Sequence, residues 1–83
     1  VVFAGVHGDE LEGVQAIHDV FNQLKTDEMS GRFIAVPTAN LPAIRAVTRI
    51  SPLDSLNLAR VFPGDKNGSV TEQIAFYLSQ LIM

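Results

Sequence analysis

The chain contains no cysteine, no tryptophan and one tyrosine, and only six of its 83 residues are lysine or arginine. Each shortage closes a class of function. Without cysteine there is no disulfide framework, no thiolate nucleophile and no cysteine-based zinc knuckle. That pattern suits a reducing compartment, so the expectation is a cytoplasmic protein. The basic residues are scattered, and nine acidic residues bring the formal charge to −3. This leaves no electrostatic footprint for nucleic acid or an anionic membrane as partner. No apolar run approaches the ~20 residues of a membrane-spanning helix, and no secretory signal is visible. G-x-S-x-G, G-x-G-x-x-G and G-x-x-x-x-G-K-[ST] are all missing. Nucleophile-elbow chemistry and the common phosphate-cradling loops are thereby removed.

What is present is a sequence that folds. Hydrophobic residues make up 47% and charged residues 18%, the balance of a globular chain and not of a disordered tail. VVFAGV is a short β-branched run closed by glycine, which predicts a strand buried on both faces. From Leu11, the residues Val14, Ile17, Val20, Phe21 and Leu24 recur at helical spacing between polar positions, which predicts an amphipathic helix. TDEMSG interrupts it, and RFIAVP reads as a second buried strand ended by Pro37. Strand, helix, strand is a βαβ unit whose loop after the first strand lies at the carboxyl edge of a parallel sheet, where α/β proteins bind ligands.

Beyond Pro37 come a short helical candidate, LPAIRAV, and a long irregular stretch, TRISPLDSLNLARVFPGDKNG. Loops longer than ~12 to 15 residues inside compact domains are usually functional. Ser69-Val-Thr-Glu72 has the form of a capping box, and Ile74, Leu78, Leu81 and Ile82 supply a last helical stripe. The fold class expected is therefore α/β: a parallel or mixed sheet flanked by helices, seen here as a βαβ unit, a long active-site loop and a further helix. Val1 already reads as strand, and LSQLIM stops on an apolar helical face. Residues 1 to 83 are accordingly expected to be the N-terminal part of a longer catalytic domain.

The residues that carry chemistry sit in GVHGDELEG, residues 5 to 13. His7 and Glu10, three apart, lie on one side of a helical turn, where imidazole and carboxylate converge. Zinc takes both ligand types, and a catalytic zinc uses three protein ligands with a fourth position left open. The same spacing equally describes a polar loop histidine followed by a first-turn acid that favours the helix dipole. His18 is excluded as the third ligand, because eight helical residues past Glu10 at ~1.5 Å each put it ~12 Å away along the axis. Asp9 points elsewhere on the turn. In the long loop, Arg49 and Arg60 each read either as a carboxylate or carbonyl clamp or as a solvated surface arginine. Asp54 and Asn57 read as turn residues.

Taken in order, GVHGDELEG, PTANLPA, Thr48-Arg49 and DSLNLARVFPG resemble the succinylglutamate desuccinylase/aspartoacylase family, zinc-dependent deacylases related to zinc carboxypeptidases. The resemblance spans essentially the whole chain. It implies one Zn2+ per active site, held by His7 and Glu10, with a histidine beyond residue 83 as third ligand and a glutamate general base further on. It also implies that Arg49 polarises the scissile carbonyl, that Arg60 grips the carboxylate of a small N-acyl amino acid, and that a C-terminal β-rich domain follows. The family often has Asn immediately before the motif's arginine, where this chain has Ala59. Asn57, in the same loop, is the candidate to supply that amide. Two alternatives stand beside the deacylase: a metallocarboxypeptidase acting on peptides, and a non-catalytic binding domain of the same fold. An isolated 83-residue polypeptide, with two ligands and no base, is expected to be inactive. The sequence leaves an oligomer open.

Overall fold

The computed structural model describes residues 1–82. Strand β1, Val2–Phe3, pairs in parallel with β2, Ala35–Val36, in the register Val2 to Ala35 and Phe3 to Val36. Helix α1, Glu12–Gln23, is the crossover between them, so the βαβ reading holds. Helix α2, Leu41–Ala46, follows β2 directly. A long loop with one 3₁₀ turn at Leu58–Arg60 then leads to α3, Val70–Ile82.

The strands are shorter than VVFAGV and RFIAVP predict, and their side chains are half-buried instead of enclosed on both faces. The pairing nevertheless runs past the strand ends. Ala4 N–H donates to the Val36 carbonyl at 2.9 Å, Ala39 N–H to Ala4 at 2.9 Å and Asn40 N–H to Gly5 at 3.0 Å. These bonds weld the start of α2 to the segment that leaves β1.

Helix α1 is amphipathic as its spacing requires, but of its apolar stripe only Ile17 is buried, while Val20, Phe21 and Leu24 face solvent. It begins without a side-chain cap. The core lies on the other side of the sheet, where Leu58 from the loop packs with Ala39 and with Ala75 and Leu78 of α3, flanked by Phe3, Val36 and Ile74. Full burial of one leucine side chain contributes roughly 1.5–3 kcal/mol, so Leu58 is the loop's principal anchor.

Three polar side chains are enclosed with it. Asn40, Ser51 and Thr71 have no exposed surface, and each uses its polar atoms. Asn40 caps α2 by accepting from Ala43 N–H and reaches the Val6 carbonyl with its own amide. Ser51 Oγ accepts from Leu53 N–H at 3.2 Å, and Thr71 binds Asp54. The predicted capping box at α3 is half formed. Glu72 accepts from Ser69 N–H at 3.1 Å, but Ser69 Oγ is buried without a partner, and the N–H of Thr71 is taken by Asp54, a residue 17 positions earlier.

Candidate metal centre

β1 delivers the chain to a tight non-helical turn over residues 6–10, and α1 begins only at Glu12. The expectation that His7 and Glu10 share a helical turn is corrected accordingly. They converge through a hydrogen-bonded turn, with Glu10 N–H directed at the His7 carbonyl at 3.4 Å. Two glycines make the turn possible. Gly5 sits at φ +69°, a left-handed conformation that side chains disfavour. A Cβ on Gly8 would collide with the backbone of Ala43 and Ile44 in α2, against which this turn lies directly. Gly8 N–H donates to the Thr48 carbonyl at 2.8 Å, so the turn is fastened to the far end of α2 as well.

His7 Nδ1 stands 3.5 Å from Glu10 Oε2, with the His7 side chain largely buried and Glu10 exposed. His7 Nε2 stands 3.1 Å from Asn57 Oδ1. The same Oδ1 accepts from Ala59 N–H at 3.0 Å, which identifies that atom as the oxygen. An oxygen can only accept, so Nε2 carries the proton. In neutral His7 the Nδ1 lone pair then faces a carboxylate oxygen, and two acceptors directed at each other require a cation or a proton between them. The separation discriminates further. Bonds of about 2.0–2.2 Å at a tetrahedral angle place two zinc ligands roughly 3.3–3.5 Å apart. The donor pair fits a zinc ion.

Arg49 comes to the same carboxylate from the loop after α2, its Nη1 3.6 Å from Glu10 Oε1. Both side chains are more than half exposed, so the pair contributes about 0–1 kcal/mol and marks position more than stability. Arg60 closes the 3₁₀ turn that Asn57 opens, its N–H bonded to the Asn57 carbonyl at 2.9 Å. Its side chain is exposed and forms no ion pair among the described residues. Thus Asn57, His7, Glu10 and Arg49 are linked side chain to side chain in that order, while Arg60 is carried on the same loop and joins Asn57 through its backbone only.

Asn57 has a partner that the expectation did not name. Its carbonyl oxygen is committed to His7 and to Ala59, so it holds the histidine ring before anything else. His18, as predicted, is no part of the centre. It lines a separate cleft with Ile17 and Phe21, whereas His7 and Glu10 border one of about 360 Å³ with Phe3, Val6 and Glu12. A larger groove, about 690 Å³, lies between β2 and α3 and has no charged lining. No group of three metal-ligating side chains exists among the described residues, so a zinc ion held by His7 and Glu10 would need a further ligand.

Two residues carry more than the sequence reading gave them. Asn40, buried in PTANLPA, ties the ligand turn to α2, and Asp54 binds the loop to α3. Asp54 is pushed upward by burial but held below the usual carboxylate range in sum by hydrogen bonds from the Thr71 N–H, the Thr71 hydroxyl and the Leu56 N–H.

Residues 1–82 match the model of the succinylglutamate desuccinylase/aspartoacylase catalytic domain. The N-alpha-acetyl-L-2,4-diaminobutyric acid deacetylase of Halomonas elongata is 47% identical over 79 residues, which are 95% of this chain and 23% of that protein. The succinylglutamate desuccinylase/aspartoacylase of Rhodobacter sphaeroides superposes with a TM-score of 0.88 at 44% identity, over 96% of this chain and 25% of its own. The product-bound ectoine utilization protein EutE (DoeB) of Ruegeria pomeroyi does so with a TM-score of 0.88 at 43% identity, over 98% and 25%. The chain therefore spans about a quarter of the length of these relatives. No helix among the described residues is long and apolar enough to cross a membrane. With the strand, turn, loop and helix that present His7 and Glu10 all covered by that match, the chain belongs to the succinylglutamate desuccinylase/aspartoacylase family.

Proposed function

We propose that the whole protein is a zinc-dependent hydrolase that removes the acyl group from a small N-acyl amino acid. The observation that carries this is the 3.5 Å approach of His7 Nδ1 and Glu10 Oε2, with the opposite ring nitrogen already occupied by Asn57. Family membership supports the deacylase class, and the diaminobutyric acid deacetylase is a relative whose name specifies an N-acetyl amino acid.

His7 and Glu10 would hold the zinc, with a histidine from beyond this chain. When bound, the ion supplies Lewis-acid polarisation and lowers the pKa of a water toward ~7. The remaining work falls to this chain's side chains. Arg49, a rigid fork of donors beside Glu10, is suited to stabilise negative charge developing on the carbonyl oxygen of the amide. Arg60 is suited to take the substrate's carboxylate. Ala59 offers no side-chain amide there, so Arg60 would hold that end with its fork of donors, and Asn57 is the candidate to add an amide.

The test is metal content and kinetics of the whole protein. About one zinc per chain, lost in His7→Ala, is expected. Arg49→Ala should lower turnover about a hundredfold to a thousandfold, the usual effect of removing one such donor. Arg60→Ala should act mainly on apparent affinity. A zinc-free wild type after zinc supplementation points to a binding domain, and preferential cleavage of C-terminal peptide bonds points to a carboxypeptidase.

A further inference from the structure

We infer that Asp54 is a positioning residue for the metal site, acting through Asn57 on the ring of His7. The inference rests on the zinc reading above and adds to it a second layer of residues that runs to α3.

The Asp54 carboxylate accepts three hydrogen bonds that point in two directions. Toward α3, Oδ2 takes Thr71 N–H at 2.7 Å and Oδ1 takes Thr71 Oγ1–H at 2.7 Å. Toward the site, Oδ1 takes Leu56 N–H at 3.1 Å. Thr71 is fully buried in the first turn of α3, so the anchor is fixed, and a carboxylate there also meets the positive end of the helix dipole. Asn57 is thereby bracketed. The residue before it is bonded to Asp54, and the residue after it, Leu58, is sunk in the core against α3. Between Asp54 and Leu56, Ser55 adopts φ 60°, a left-handed conformation that serine holds only where its surroundings impose it. The bond from Ser55 N–H to the Ser51 carbonyl at 2.9 Å and the two-way clasp of Asp54 are those surroundings.

A path of hydrogen bonds thus runs from Thr71 through Asp54 and the Leu56 backbone to Asn57, and from Asn57 Oδ1 to His7 Nε2. Its end fixes the plane and tautomer of the imidazole, leaving Nδ1 with its lone pair toward Glu10. Residues that orient a liganding histidine typically change metal affinity 10- to 100-fold when removed. Asp54 acts one residue further out, so its loss belongs at the low end of that range. Its carboxylate does not touch the ion or the substrate.

The experiment measures zinc affinity of the whole protein by chelator competition and the nitrogen shifts of His7 in the metal-free protein. Asp54→Asn and Thr71→Val should each weaken zinc about tenfold and move His7 away from a single Nε2–H tautomer. Asn57→Ala should cost at least as much, and combining it with Asp54→Asn should add little. Thr71→Ser, which keeps both donors, should stay within about twofold of wild type. Ile17→Ala is the control, because it removes the one buried side chain of α1, which is no part of the path or of the Leu58 cluster, and it should lower stability while leaving zinc affinity alone. Wild-type zinc binding with unchanged affinity in Asp54→Asn and Thr71→Val overturns the path and leaves the zinc reading intact. An equal loss in Ile17→Ala overturns it too, since affinity would then follow stability. Absence of zinc from the wild type overturns both.

Discussion

The two sides of the sheet are built differently. On one side α1 leaves the ligand turn without a cap, buries Ile17 and exposes Val20, Phe21 and Leu24. On the other, α2, the long loop and α3 enclose Asn40, Ser51, Thr71 and Leu58 completely and tie them by hydrogen bonds. Glu10 is two residues from α1, yet the two side chains bonded to the His7–Glu10 pair among the described residues, Asn57 and Arg49, both come from the stretch after α2. The helix that follows the motif in sequence is not the element that shapes it.

The strongest way to break that contrast is a pair of glycine substitutions in the whole protein. Gly8→Ala drives a methyl group into the α2 backbone and should cost more than about 4 kcal/mol, abolishing zinc retention. Gly13→Ala, in the first turn of α1, meets only Ala4 Cβ at 3.2 Å and gains about 0.8–1.0 kcal/mol of helix propensity, so it should be near neutral. Comparable losses from both, in thermal unfolding, would remove the distinction between the two sides. Next in size is Asn40→Ala, which leaves the Val6 carbonyl and Ala43 N–H without their partner and should cost about 1–3 kcal/mol, again with weaker zinc binding.

A smaller effect concerns pH. Asp54 titrates below its ordinary value, so its contribution is complete above the unfolded carboxylate value of about 3.9 and fades as pH falls through the lower folded one. The stability gap between wild type and Asp54→Asn should be constant from about pH 5 to 8 and should narrow below about pH 4. A gap that widens on acidification would reverse the sign and exclude a stabilising carboxylate. Smallest of all is His18→Ala, which should leave zinc content and turnover within about twofold, because His18 lines a different cleft.

The sequence exposes some of this well and some of it not at all. Period-3.6 spacing placed α1 and α3, and β-branched runs ending in Gly and Pro placed the two strands, because those signals are local. The side-chain pattern could not reveal that α1's stripe is mostly uncovered, since burial depends on what packs against it. His7 and Glu10 were legible as a pair, whereas their turn was not, because its shape comes from the contact of Gly8 with α2. Asn57 and His7 are 50 positions apart, and Asp54 and Thr71 are 17 apart. No spacing rule reaches across such distances, so the sequence did not show the bond of Asp54 to Thr71 or that of Asn57 to His7.

The welding of Ala4 and Gly5 to Ala39 and Asn40 has a consequence for when the site comes into being. Those bonds close a loop of more than thirty residues, an entropic cost that grows with chain separation and is met only once α1 has crossed over and β2 has docked. A nonapeptide of sequence GVHGDELEG carries His7 and Glu10 but none of that closure. The pair that looks like the most local feature of the chain therefore depends on a long-range closure for its geometry, and the zinc binding proposed for it would report on that closure.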